Sequence, residues 1–253
     1  MMQRKNIALV TGAAKRIGRA IAIGLARAGW DVAIHYRSSQ ADAEKVASEI
    51  TPLGQRCVLL QADLAQIYDV ENLVSRCSAE FGAPTCLINN ASGFEFDDIH
   101  SVTPESWDAM QAINLRAPVI LAKHFAASLP PGAEGNIINL LDQKIANLNP
   151  DFFSYTIAKI GLEGATRTLA MALAPRIRVN AIAPGLTLLS GDQTPDNFAQ
   201  AQRMTPLGYA GNMDDIVAAT LFLLQTKSIT GQTIFIDGGQ RFLAMDRDVM
   251  FKV

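Results

Sequence analysis

The sequence predicts one α/β domain, a doubly wound parallel sheet of about seven strands with helices on both faces. Short β-branched or apolar runs alternate with stretches of helical period along the whole chain. Parallel neighbours need crossover connections, and helices supply them. No Pro/Gly/Ser-rich linker, charge block, repeat or low-complexity tract divides the 253 residues, so the domain is taken as 1–253.

Each element follows from its period. The first strand is Ile7–Val10, and Ile17, Ala20, Ile21, Gly24, Leu25 and Ala28 then form a stripe on one helical face. Next come strand Val32–His35, helix Ala41–Ile50, strand Cys57–Gln61, helix Val70–Phe81 and strand Cys86–Asn89. A helix starts at Thr103-Pro104-Glu105, with a capping threonine, proline in the first turn and an acid at the positive end. Asn114–Leu129 continues helical. Strand Asn136–Leu140, helix Ser154–Ala174, strand Arg178–Ile182, helix Asp214–Leu224 and strand Thr233–Ile236 complete the order. Nearly thirty residues separate Pro184-Gly185 from Met213, with a short helix expected around Asp196–Arg203. That length reads as a substrate lid over 186–212, against a plain loop.

Composition narrows the function classes. A net charge of −2 with dispersed basic residues argues against nucleic-acid binding. Cys57, Cys77 and Cys86 follow no ligand spacing and read as reduced thiols. No metal site is expected; His100 and His124 are isolated, and Asp97-Asp98 reads as a solvated loop. The apolar runs Ile7–Val10 and Ile216–Leu224 are too short for a signal core and a membrane span respectively. The expectation is a cytoplasmic protein with a small-molecule substrate beyond the carboxyl ends of its strands.

The first strand-to-helix turn, Thr11-Gly12-Ala13-Ala14-Lys15-Arg16-Ile17-Gly18, places glycines where a diphosphate approaches helix N-terminal amides. Lys15, Arg16 and Arg19 crowd the positive helix end, a placement that makes sense with an anion among them. The second strand ends in His35-Tyr36-Arg37-Ser38-Ser39, with no acid before Asp42. A site for NAD usually offers a carboxylate to the ribose 2′-hydroxyl there, whereas guanidinium and hydroxyl donors suit the 2′-phosphate of NADP(H). Tyr155 and Lys159 lie at i and i+4 on one helical face. A nearby ammonium stabilises phenolate, so Lys159 is expected to lower the Tyr155 pKa and make it a usable proton donor.

The chain resembles the short-chain dehydrogenase/reductases over essentially its whole length. The resemblance rests on Thr11-Gly12…Gly18, Asp63-Leu64, Asn89-Asn90-Ala91, Asn114, Tyr155…Lys159, Pro184-Gly185 and Asp237-Gly238-Gly239, in that order. It implies a Rossmann-type fold, adenine contact at Asp63, a cofactor-supporting Asn90, and Asn114 holding a proton-relay water. Tyr155 is then the proton donor, and Lys159 binds the nicotinamide ribose. By the same resemblance Leu64, Ala91, Pro184 and Gly185 join the cofactor site, and the assembly is a homotetramer.

Two departures point to the pteridine reductase branch of that family. Arg16 replaces the middle glycine, and Asp142 stands where the family places a serine, thirteen residues before Tyr155. With Asn89-Asn90-Ala91-Ser92-Gly93-Phe94, the resemblance gives substrate contacts to Arg16, Ser92 and Phe94, the aromatic stacking on the pterin opposite the nicotinamide. Asp142 fits that chemistry. A ketone reductase needs a donor at the developing alkoxide, which a carboxylate repels. A pterin needs a proton on ring nitrogen and offers N–H groups that a carboxylate can accept. The implied function is NADPH-dependent reduction of a dihydropterin or dihydrofolate. A carbonyl reductase of the same superfamily and a non-catalytic NADP(H) sensor are the alternatives.

Overall fold

A computed structural model of the chain describes residues 6–189 and 194–252. Its seven strands are β1 (Ile7–Val10), β2 (Asp31–Tyr36), β3 (Cys57–Gln61), β4 (Cys86–Asn89), β5 (Gly135–Leu140), β6 (Ile177–Pro184) and β7 (Thr233–Ile236). They form one parallel sheet in the order β3-β2-β1-β4-β5-β6-β7. Because both faces are covered, the central strands read as unbroken apolar runs. Along β1, Ala8 and Val10 enter one core while Ile7 and Leu9 enter the other.

Helices α1 (Arg16–Arg27), α2 (Gln40–Ile50) and α8 (Met213–Gln225) cover the first face, burying Ile21, Leu25, Val46 and Ile216. On the second lie α3 (Ile67–Phe81), α5 (Ala117–Ser128) and α6 (Phe153–Leu173), burying Leu73, Leu121, Phe125 and Ala170. Helix α4 (Pro104–Gln111) starts as expected, Thr103 Oγ1 accepting the Ser106 N–H at 3.2 Å. Between α4 and α5 the chain makes a π-helical turn, Ala112–Arg116, where a plain α-helix was expected from Asn114. The physical reason is local: the Asn114 side chain donates to the Met110 carbonyl at 3.1 Å. Such bulges recur at functional sites.

The strand order reverses beside β1, which pairs with β2 on one side and β4 on the other. A cleft opens at the strand ends on that switch point. A buried relay sets α6 against it. Asn89 Nδ2 donates to Asn139 Oδ1 at 2.8 Å, and Asn139 Nδ2 donates to Thr166 Oγ1 at 2.9 Å, tying β4 and β5 to α6. The expected lid contains α7 (Pro195–Arg203), while residues 190–193 lie outside the described residues. No helix among the described residues is long and apolar enough to cross a membrane.

Candidate active site

The cleft measures about 870 Å³ and runs from Tyr36 and Arg37 at one end to Asp142, Tyr155 and Met250 at the other. Its floor is the first turn. Asn90 Nδ2 donates to the carbonyls of Thr11 at 2.8 Å and Gly12 at 3.1 Å, clamping the turn to the end of β4. Thr11 Oγ1 accepts the N–H groups of Asn90 at 2.9 Å and Ala91 at 3.0 Å. A Cβ on Gly18 would sit 2.3 Å from the Gly12 oxygen and 2.4 Å from Asn90 Nδ2, so hydrogen alone fits there. The turn thus opens a cradle before α1, whose first turn holds no acid. Ile17, Gly18 and Ala91 line it. This geometry suits a diphosphate at a helix N-terminus.

Arg16 adopts a left-handed backbone, φ +52°, at a position where glycine is the easy choice. Its Nη1 donates to the Leu189 carbonyl at 2.8 Å. The three cations do not converge on one point. Arg19 turns to α2 and chelates Glu49 at 2.6 and 2.8 Å, and Lys15 pairs with Asp42 at 3.1 Å while still lining the cleft. The sequence expectation is corrected for Arg19, because Glu49 supplies its compensating charge. Arg37 and Ser38 are exposed at the cleft edge, and no carboxylate among the described residues pairs with Arg37. Replacing Arg37 by alanine is therefore expected to cut the preference for NADPH over NADH. The loss should be about 10- to 100-fold, read as the ratio of the two Kd values, the size of a lost charge-assisted hydrogen bond.

His35 has a different duty from its neighbours. Only 2% exposed, it accepts the Gly12 N–H at Nδ1, 3.0 Å away, and its Nε2 meets the Ala62 carbonyl at 3.1 Å. Both ring nitrogens are thus committed to backbone, and the ring is neutral with its proton on Nε2. Burial lowers its pKa from 6.5 to about 4. A depressed folded-state value means stability that is fully present above pH 6.5 and lost as the pH falls through 4. Chemical denaturation between pH 7 and 4 is expected to show a loss on the order of 3 kcal/mol that His35→Gln abolishes. On the far wall, Asp63 Oδ1 accepts the Ala65 N–H at 3.0 Å beside buried Leu64. Pro184 and Gly185 close the cleft at the end of β6.

At the other end, Tyr155 donates its hydroxyl proton to Asp142 Oδ2 at 2.9 Å, and Asp142 Oδ1 accepts the Lys144 N–H at 2.9 Å. Lys159 Nζ donates to the Leu140 carbonyl at 2.8 Å and lies 5.5 Å from the centre of the Tyr155 ring. Burial raises the Asp142 pKa, and burial together with the Asp142 carboxylate pushes Tyr155 well above its ordinary value. Burial also lowers Lys159 to about 8. The surroundings of Tyr155 act against the lowering expected from Lys159: burial first, and then the carboxylate hydrogen-bonded to the phenol, both raise its pKa.

Asn114 is fully buried and does not line the cleft. Its amide donates to the Gly93 carbonyl at 3.0 Å, and its Oδ1 accepts the Ser92 hydroxyl at 2.7 Å, so it braces the segment carrying Phe94. Phe94 is 42% exposed, stacks on Phe152 at 4.2 Å and meets Tyr155 edge-on at 4.8 Å. Asp97 is not solvated. It is 5% exposed, and its Oδ1 accepts the Ser154 N–H at 3.1 Å at the start of α6, where a negative charge is favoured. Sequence reasoning missed Phe152, Lys144 and residues 248–250, all near Tyr155 and Asp142. None of them carries a spacing signal.

The family model described as enoyl-(acyl carrier protein) reductase matches residues 12–241. Short-chain dehydrogenase/reductase eriH of Hericium erinaceus is 34% identical over 249 residues, 94% of this chain and 99% of that one. The chain belongs to the short-chain dehydrogenase/reductase family. FolM alternative dihydrofolate reductase 1 from Brucella canis, solved in complex with NADP, superposes with a TM-score of 0.92 at 43% identity, covering 96% of both chains. The 3-oxoacyl-(acyl-carrier-protein) reductase FabG of Staphylococcus epidermidis is 34% identical over 237 residues, 92% of this chain and 97% of its own length.

Proposed function

We propose that this oxidoreductase reduces the C=N bond of a dihydropterin, NADPH being the hydride donor. The cofactor is NADP(H). The Gly18 cradle, the Asn90 clamp and the exposed Arg37 guanidinium fit its diphosphate and 2′-phosphate, and the FolM neighbour was solved with NADP. When bound, the nicotinamide supplies hydride to a ring carbon. The chain's own residues hold the heterocycle and deliver the proton.

The Tyr155–Asp142 hydrogen bond carries the reading. The Tyr155 hydroxyl proton lies between the phenol and the Asp142 carboxylate, and both residues line the cleft. Tyr155 can pass its proton to ring nitrogen, balancing the hydride on the adjacent carbon, while Asp142 orients the substrate's N–H donors. Phe94, backed by Phe152, offers a flat surface against which a heterocycle can lie. Ser92 and Arg16 also line the cleft.

A second reading, reduction of a ketone such as an oxoacyl thioester, is favoured by the likeness to FabG. NADPH consumption with dihydromonapterin, dihydrobiopterin and dihydrofolate decides between them. Turnover of at least one is expected. Inactivity on all three beside turnover of a carbonyl panel would reject the pterin reading. Asp142→Ser is expected to lower pterin turnover and raise ketone turnover, each about tenfold or more, because a hydroxyl replaces a charge that repels the alkoxide.

A further inference from the structure

We infer that residues 247–251 form the wall of the substrate pocket that selects by the size of the substituent on the reduced ring. Lys144 is the positioning residue that fastens this wall to the site. The inference deepens the pterin reading of the same cleft.

These residues lie beyond the span 12–241 that the family model matches, yet Asp248, Val249 and Met250 line the cleft beside Asp142 and Tyr155. A three-residue 3₁₀ turn, Val249–Phe251, has too few hydrogen bonds of its own to hold a wall in place. Two ion pairs hold it instead. Lys144 Nζ donates to Asp248 Oδ2 and Asn149 Oδ1, both at 2.8 Å, while the same residue's backbone N–H holds Asp142 Oδ1 at 2.9 Å. Arg247 Nε reaches both oxygens of Asp151 at 2.9 Å, and Asp151 Oδ2 also accepts the Asp248 N–H at 2.7 Å.

The Lys144 and Asp248 side chains are 3% and 14% exposed, so removing either partner strands a charge largely out of water. Met250 packs against Met110, Phe152 and Tyr155. Phe251 stacks on Phe152 at 6.2 Å, extending the aromatic pile that begins with Phe94. The wall is therefore one body with the surface on which the substrate ring is to lie. Met250 is its flexible apolar tip, and its length sets the room left beside that ring.

The test is the specificity ratio of the full chain, kcat/KM for dihydrofolate divided by kcat/KM for unsubstituted dihydropterin, with NADPH. Met250→Ala is expected to raise the ratio about fivefold or more, since single pocket methylenes discriminate by about tenfold or more. Asp248→Asn, which releases the turn from Lys144, is expected to move it in the same direction, with the Kd for NADPH unchanged. An equal change for both substrates in both variants overturns the inference, because a merely structural role weakens all substrates alike. If the wild-type chain reduces no dihydropterin, the pterin reading itself fails. The ratio is then taken between a bulky and a small ketone, and a ratio unmoved by Met250→Ala overturns the wall.

Discussion

Tyr155→Phe is expected to lower kcat about 10²- to 10⁴-fold on whichever substrate the wild-type chain turns over, the range for loss of a positioned general acid. The substitution deletes one oxygen and keeps the ring, so the edge contact with Phe94 survives. Asp142 Oδ2 loses its hydrogen-bond donor and stays half-buried in the cleft lining. A stability cost of about 0.5–1.5 kcal/mol accompanies the lost bond. NADPH binding should persist, because the Asn90 clamp and the Gly18 cradle are built without the Tyr155 hydroxyl. Steady-state kinetics with cofactor fluorescence titration separates the two effects. Activity within a factor of ten of wild type would move the acid to Asp142.

Gly18→Ala is expected to abolish cofactor binding at concentrations that saturate the wild-type chain, a rise in Kd of about 10²-fold or more. The added methyl would meet the Gly12 carbonyl at 2.3 Å and the Asn90 amide at 2.4 Å. The first of these is backbone, so the overlap cannot be relieved by turning a side chain. Either the turn shifts and the cradle widens, or Asn90 lets go of Thr11 and Gly12. Both cost catalysis, and overpacking of this kind destabilises by about 1–3 kcal/mol. Isothermal titration with NADPH and thermal unfolding read the two consequences separately. A Kd close to wild type would mean that the diphosphate does not rest on this turn.

How much of this was legible beforehand differs between the two ends of the cleft. The element order was, since apolar runs of four to eight residues and stripes of helical period record burial directly. Helix ends moved by one to three residues; α3 starts at Ile67 where Val70 was expected. The cofactor end was also largely legible. Gly12, Gly18, Arg37 and the absent acid sit together in the chain as they do in space. The backbone contacts of His35 were not legible, because only coordinates show which atoms its ring nitrogens meet.

By itself the sequence determined a doubly wound sheet, a cleft at the strand ends and a glycine-bearing first turn, with Tyr155 and Lys159 sharing one helical face. Those properties depend on periodicity and on residue types a few positions apart, which a linear chain displays. Tertiary structure alone decided that Tyr155 answers to Asp142 before Lys159. It also decided that Asp97 caps α6 from 57 residues away, and that Lys144 and Asp248, 104 residues apart, close the pocket. Hydrogen bonds and desolvation act over a few ångströms regardless of chain separation, and packing brings those groups within range.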